Sequence, residues 1–208
     1  PVEFAPPPPP EPPLTLRDGF ETTPVGGAPA DARVHTENKG DRIAVTDEVA
    51  AEGQRCLKVE DAPGLQFEYN PHLYWTPNHQ EGVSRCAFDL RVEAGVVMYH
   101  EWRDSSDPYR VGPSFWVRDG KLQVGGQDLI DLPADQWVHV EVSAGLGAQS
   151  AGTWELVVTL PGQPPQRFPN LPNVSPDWKT LTWLGFSSSA NEKTAFYLDN
   201  LELATGNP

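Results

Sequence analysis

The sequence predicts an all-β protein: an antiparallel β-sandwich of about ten to twelve short strands behind a proline-rich segment. Three observations carry that reading. No part of the 208 residues sustains an apolar repeat at i, i+3, i+4 and i+7, so no amphipathic helix is available to cover a parallel sheet. The 23 prolines and 18 glycines cut the chain into short runs. Several of those runs alternate apolar and polar residues, the period-two pattern of a strand with one buried face.

Residues 1–13 hold eight prolines, with an unbroken run over 6–10, and are predicted as an extended polyproline linker without internal hydrogen bonds. The sandwich is assigned to 14–205. Strands are expected at 16–21, at 42–46, and at 55–60 after the turn Ala51-Glu52-Gly53. Others are expected at 65–69, 84–92, 96–103, 114–118 and 121–124. Asp119-Gly120 between the last two is the strongest hairpin signal in the chain. The remainder are 137–142, 154–160, 180–186 and 195–203. The stretch Tyr69-Asn70-Pro71-His72-Leu73-Tyr74-Trp75 reads as an aromatic loop.

Charge narrows the ligand classes. Lys plus Arg is 15 and Asp plus Glu is 29, a formal charge of −14. Nucleic acid needs a basic face and is excluded as a partner. Anionic membranes and sulfated polymers are disfavoured, whereas neutral ligands and cations are not. No apolar run approaches the ~20 residues of a membrane-spanning helix. The chain opens Pro1-Val2-Glu3-Phe4 with no secretory signal, and is expected to be a piece of something longer. Cys56 and Cys86 fall in two predicted strands, either as a cross-strand disulfide or as two buried thiols.

Three segments carry a resemblance: Asp18-Gly19-Phe20-Glu21 at the start, 45–59 with its Ala51-Glu52-Gly53 turn, and Phe196-Tyr197-Leu198-Asp199-Asn200-Leu201 at the end. Together they resemble the jelly-roll, concanavalin A-like modules appended to extracellular polysaccharide-degrading enzymes. Gly112 to Gly120 and Asp135 to Val140 look like laminin-G-type sandwiches. The resemblance implies that the first and last strands lie side by side and that their carboxylates hold a structural calcium. Glu21 and Asp199 match that site, with Asp18 and Asp47 as neighbours. Calcium takes 6–8 oxygens at about 2.3–2.6 Å, which suits this set. The alternative is that these carboxylates are solvated strand ends or pair with Arg17 or Arg55.

A ligand face follows from strand 96–103. Val97, Tyr99, Glu101 and Arg103 point one way, and Val96, Met98, His100 and Trp102 the other. Sugars bind flat aromatic platforms flanked by planar hydrogen-bonding groups. Tyr74, Trp75, Tyr99 and Tyr109 supply the aromatic part here; Glu101, Arg103 and His72 orient hydroxyls. Trp102, Trp137, Trp154 and Trp183 are read as core.

Catalysis has weaker support. Glu101-Trp102-Arg103-Asp104-Ser105-Ser106-Asp107 departs from the Glu-X-Asp-X-X-Glu of sandwich-fold glucanases. Tyr99, His100 and Arg103 include residue types used by sandwich-fold lyases, but Tyr99 and His100 point to opposite faces. No nucleophile elbow, zinc motif or phosphate loop is present. The expectation is a non-catalytic carbohydrate-binding module, secreted, extracellular or periplasmic. It would be covalently linked to a catalytic domain and would target that enzyme to a polysaccharide or oligosaccharide. The alternatives are a structural or protein-interaction domain without a glycan site, and a polysaccharide hydrolase or lyase.

Overall fold

The computed structural model of the chain describes residues 5–9 and 11–207. Numbered in chain order, fifteen strands form two antiparallel sheets packed face to face. The first sheet runs β13 (Gln166–Pro172), β12 (Thr153–Thr159), β11 (Trp137–Leu146), β6 (Gly82–Val92), β15 (Ala195–Gly206), β4 (Cys56–Glu60) and β3 (Arg42–Thr46); β1 (Leu16–Asp18) also joins β15. The second runs β10 (Gln127–Asp131), β9 (Lys121–Val124), β8 (Val111–Arg118), β7 (Met98–Arg103), β14 (Trp183–Ser188), β5 (His72–Trp75) and β2 (Arg33–His35). The only helix among the described residues is a 3-10 turn at Gly147–Gln149. The antiparallel sandwich predicted from the sequence is the observed fold.

Alternation decides the faces. In β7 Met98, His100 and Trp102 are buried, while Tyr99, Glu101 and Arg103 are half-buried on the outside. The core between the sheets holds Phe88, Phe115, Phe186, Trp75, Trp102 and Trp178, all essentially inaccessible. Phe88 and Phe186 meet edge to face at 5.0 Å. Truncating such a ring costs about 3–5 kcal/mol, because the close-packed surroundings refill the hole only in part. At Asp119-Gly120 both residues take positive φ (53° and 71°), the conformation a two-residue hairpin with the right twist requires.

The two ends of the fold meet on β15. Leu16 pairs with Leu203 and Asp18 with Leu201, while Leu198 pairs with Leu57 of β4. A register shift between Asp199 and Glu202, with Asn200 at φ 48°, passes one edge of β15 from β4 to β1.

Several elements differ from the expectation. Residues 65–69 form turns rather than a strand, and 72–75 form β5 rather than a loop. Strands β2, β10 and β13 were not foreseen. β13 carries Pro169 and Pro172, which an edge strand tolerates because one row of N–H groups faces away from the sheet. Glu21 lies in the turn after β1. The cysteines are not bonded: Cys56 packs outside the sheet with Ala195 and Tyr197, and Cys86 faces the inner core. Burial pushes both thiols up, Cys56 to about 12.

Residues 5–9 and 11–13 are exposed and outside any strand. Residues 1–4 and Pro10, part of the predicted linker, lie outside the described residues. From Leu14 the chain is held: its N–H donates to the Pro77 carbonyl at 2.8 Å, and its carbonyl sits 2.7 Å from Nε2 of the buried His79.

Candidate functional site

The outer face of the second sheet is built in rows by the strand register. One row reads His35, His72, Ser187, Tyr99, Trp116 and Gln123 across six strands. The next reads Arg33, Tyr74, Gly185, Glu101 and Ser114, and a third pairs Trp183 with Arg103. Adjacent strands lie about 4.8 Å apart, so side chains at neighbouring positions of a row are within reach of each other, except at Gly185, which has none.

Across these rows runs a stack of flat groups. The rings of His35 and Tyr74 are 5.8 Å apart and nearly parallel, and Tyr74 and Trp183 are 5.3 Å apart at 25°. The Arg103 guanidinium lies 3.8 Å from the centre of the Trp183 ring and 4.3 Å from that of Tyr109. Arg103 Nε also donates to Glu101 Oε1 at 2.5 Å. Each inner ring therefore covers another, and the last one, Tyr109, is 51% exposed. Glu101 and Arg103 present a planar acceptor beside a planar donor.

Two features fix this stack. A Cβ at Gly185 would sit 2.3 Å from the Trp183 ring, so the absence of a side chain lets the indole lie flat against the sheet. Beneath the sheet His100 is fully buried. Trp102 Nε1 donates to its Nε2 at 2.9 Å, which leaves Nδ1 to donate to the Gly185 carbonyl at 2.9 Å. Burial holds His100 neutral and pushes its pKa down to about 3. Burial, with His35 and Arg103 nearby, pushes His72 down to about 4, against the Tyr69 carbonyl. Burial raises the Tyr99 phenol, which is bonded to Ser187.

Of the residues singled out in the sequence, His72, Tyr74, Tyr99, Glu101, Arg103 and Tyr109 come together here. Trp75 does not. It is 1% exposed, packs against Phe186 in the core, and donates from Nε1 to the Ala30 carbonyl at 3.2 Å. Residues 72–75 alternate as a strand, so Tyr74 outside puts Trp75 inside. Trp183 is corrected in the opposite sense: expected in the core, it lies at the centre of the outer face. The alternation of Trp183, Gly185 and Ser187 in 183–188 carries that signal.

The proposed cation ligands do not form a cation site. Among the described residues no three His, Cys, Asp or Glu side chains gather in a way that suits a metal. Glu21 Oε1 accepts the N–H groups of Gln54 and Arg55, both at 2.9 Å. Asp199 is buried and accepts the N–H groups of Ala51 and Glu52 on Oδ2 and of Asn200 on Oδ1. Asp18 caps the Phe20 N–H at 2.7 Å, and Asp47 is exposed. Backbone donors point at Glu21 Oε1, Asp18 Oδ1 and both oxygens of Asp199, which disfavours calcium at those atoms. Glu21 and Asp199 do share one neighbourhood, on either side of the 51–55 turn that they hold.

Glu101 and Asp104 are held by different partners, Glu101 by Arg103. Asp104 is buried, and its oxygens accept from Ser106 and Arg110. Asn173 of the sequon Asn173-Val174-Ser175 is 5% exposed.

By sequence, no protein-family model and no curated protein matches the chain. By structure it is similar to a cellulose-induced protein at 15% identity and a TM-score of 0.63, covering 93% of this chain and 98% of that one. It is also similar to an endo-β-1,4-glucuronan lyase from the fungus Trichoderma reesei, at 13% identity and a TM-score of 0.62, over 88% and 94% of the two chains. A marine alginate lyase from Aplysia kurodai aligns at 12% identity and a TM-score of 0.53, over 79% and 87%. At these identities the likeness shows the sandwich fold. No helix among the described residues is long and apolar enough to cross a membrane.

Proposed function

We propose that this protein binds a neutral polysaccharide on the outer face of its second sheet without cleaving it. In this reading it serves a larger extracellular enzyme as a covalently linked targeting module. The carrying observation is the stack from His35 through Tyr74, Trp183 and Arg103 to the exposed ring of Tyr109. A pyranose presents one face of C–H bonds that packs on such a ring, and its hydroxyls reach planar donors and acceptors such as Arg103 and Glu101. The site is shallow, so affinity is weak, since little ligand surface leaves water. A tether raises the local concentration of the module at a polymer, which compensates for that weakness. Similarity in fold to two polysaccharide lyases supports a polysaccharide as the class of ligand.

Retardation in native gels containing xylan, β-glucan or galactan tests it. The wild-type protein should be slowed, and Trp183→Ala and Tyr109→Ala should run free with the fold retained, the melting temperature being unchanged in Tyr109→Ala, whose ring is exposed. Unretarded wild-type protein would leave a structural or protein-interaction domain as the better reading.

One observation favours a second reading, a uronate lyase. Neutral His72 and protonated Tyr99 face the same side, separated in their row by the small Ser187. His72 would take the proton beside a uronate carboxylate. Tyr99 would give its own proton to the departing glycosidic oxygen as the C=C bond forms. Unsaturated ends released from alginate or glucuronan, and lost in Tyr99→Phe, would establish it.

A further inference from the structure

Beyond the stack, the same side of the protein carries a cleft of about 430 Å³ between residues 65–70 and the end of β8. That volume is in the range of small-ligand sites, roughly 300–1,000 Å³. We propose that this cleft is a second sugar subsite, which seats a neutral pyranose on Phe67 with Arg118 and Glu68 at its hydroxyls. The inference rests on the glycan-binding reading and extends it to a ligand several sugars long.

The cleft is a built feature rather than a gap under a loose loop. Glu37 accepts the N–H of Gln66 at 2.7 Å on one oxygen, and the Phe67 N–H and Asn70 Nδ2 at 3.0 Å on the other. These bonds, led by that from Gln66, hold its carboxyl down at about 2. The Ser189 hydroxyl ties the Glu68 carbonyl from the other side. Asn70 Oδ1 lies 2.9 Å from His72 Nδ1, which joins the loop to the sheet face. On this frame Phe67 stays 42% exposed, with Tyr69 stacked on one side of its ring at 5.2 Å. Two aromatics pinned toward water by backbone bonds are costly unless something covers them.

The charges around Phe67 select the ligand. Arg118 lies 5.0 Å from the Trp116 ring centre and pairs with no carboxylate among the described residues. Asp61 also lines the cleft, but one of its oxygens is held by the Ser188 hydroxyl and the Ala190 N–H. Glu68 has an exposed side chain. One cation and one accessible carboxylate, with the amide of Gln66 beside them, match donor and acceptor hydroxyls with no preference for a charged sugar. The His35 end of the stack adjoins the cleft, because Tyr69 meets Phe67 at 5.2 Å and His72 at 5.7 Å. From Arg103 to Tyr99 along β7, then from Trp116 to Arg118 along β8, the Tyr109 end stands on the order of 20 Å from Arg118 at about 3.3 Å per residue. A single sugar cannot touch both Tyr109 and Arg118.

Isothermal titration with xylohexaose, cellohexaose and mannohexaose, and with the matching disaccharides, tests this. Phe67→Ala and Arg118→Ala should each weaken hexasaccharide binding by about tenfold, the scale of one lost ring or charged contact, and leave disaccharide binding unchanged. Trp183→Ala should weaken both. Hexasaccharide binding that survives Phe67→Ala and Arg118→Ala but not Trp183→Ala overturns the subsite and leaves the stack standing. Loss in Phe67→Ala with none in Trp183→Ala supports the cleft and sinks the stack. A wild-type protein that binds none of the sugars overturns both. Phe67 and Arg118 are exposed, so melting temperatures should not move.

Discussion

The indole of Trp183 occupies the space a Cβ of Gly185 would take, 2.3 Å from that position. Gly185 is not among the residues with positive φ, so Ala fits the backbone, and the atoms nearest its Cβ are those of the ring. Gly185→Ala should therefore tilt Trp183 off the sheet, break its contacts with Tyr74 and Arg103, and abolish retardation in polysaccharide gels. The fold should persist, with a loss of about 1–3 kcal/mol from local overpacking. Urea melts together with tryptophan fluorescence will separate the two effects; wild-type retardation in this variant would remove Trp183 from the site.

Acid should destabilise the protein before its carboxylates titrate. His100 has a folded pKa near 3 and His72 near 4, both below the ordinary 6.5. A histidine with a depressed folded pKa binds protons preferentially in the unfolded chain, so stability falls as pH drops below 6.5 and levels off only below the folded value. For fully buried His100 alone the loss reaches roughly 3 kcal/mol by pH 4. His139 opposes this, because Asp89 raises its pKa and its contribution grows as pH falls. Urea midpoints from pH 7 to pH 4 should decline, and more shallowly in His100→Gln if that side chain carries the effect.

Glu37 should govern the 65–70 loop. Its depressed pKa makes its contribution present above about 4.5 and lost as pH falls toward about 2. At neutral pH Glu37→Ala leaves the N–H groups of Gln66 and Phe67 without their acceptor. The loop should become cleavable by protease, and hexasaccharide affinity should fall as in Phe67→Ala. Protection equal to wild type would show that Ser189 suffices to hold it.

Chelation should not matter. Oε1 of Glu21 and both oxygens of Asp199 already accept backbone N–H groups, and among the described residues no cluster of metal-type ligands is present. Melting temperature should be the same in EDTA and in millimolar calcium. A fall in EDTA that calcium but not magnesium reverses would restore the cation site.

How much the sequence showed depended on the range of the signal. Period-two alternation over 84–92 and 96–103, and the Asp119-Gly120 turn, are local and were legible. So was the sharing of one face by Tyr99, Glu101 and Arg103. The strand at 127–131 was missed although Gly125-Gly126, both at positive φ, forms a hairpin turn of the same kind. Strand 72–75 was hidden by Pro71 and Pro77, and with it the burial of Trp75.

The sequence by itself determined the fold class and the alternation of strands such as 98–103, because both follow from which residues avoid water next to their neighbours in the chain. Only the tertiary structure decided which strands lie side by side. That pairing put Trp183 between Tyr74 and Arg103, turned Glu21 and Asp199 toward one loop's amides, and set Glu37 beneath Phe67. Such contacts join residues far apart in the chain, and no local pattern encodes the register that brings them together.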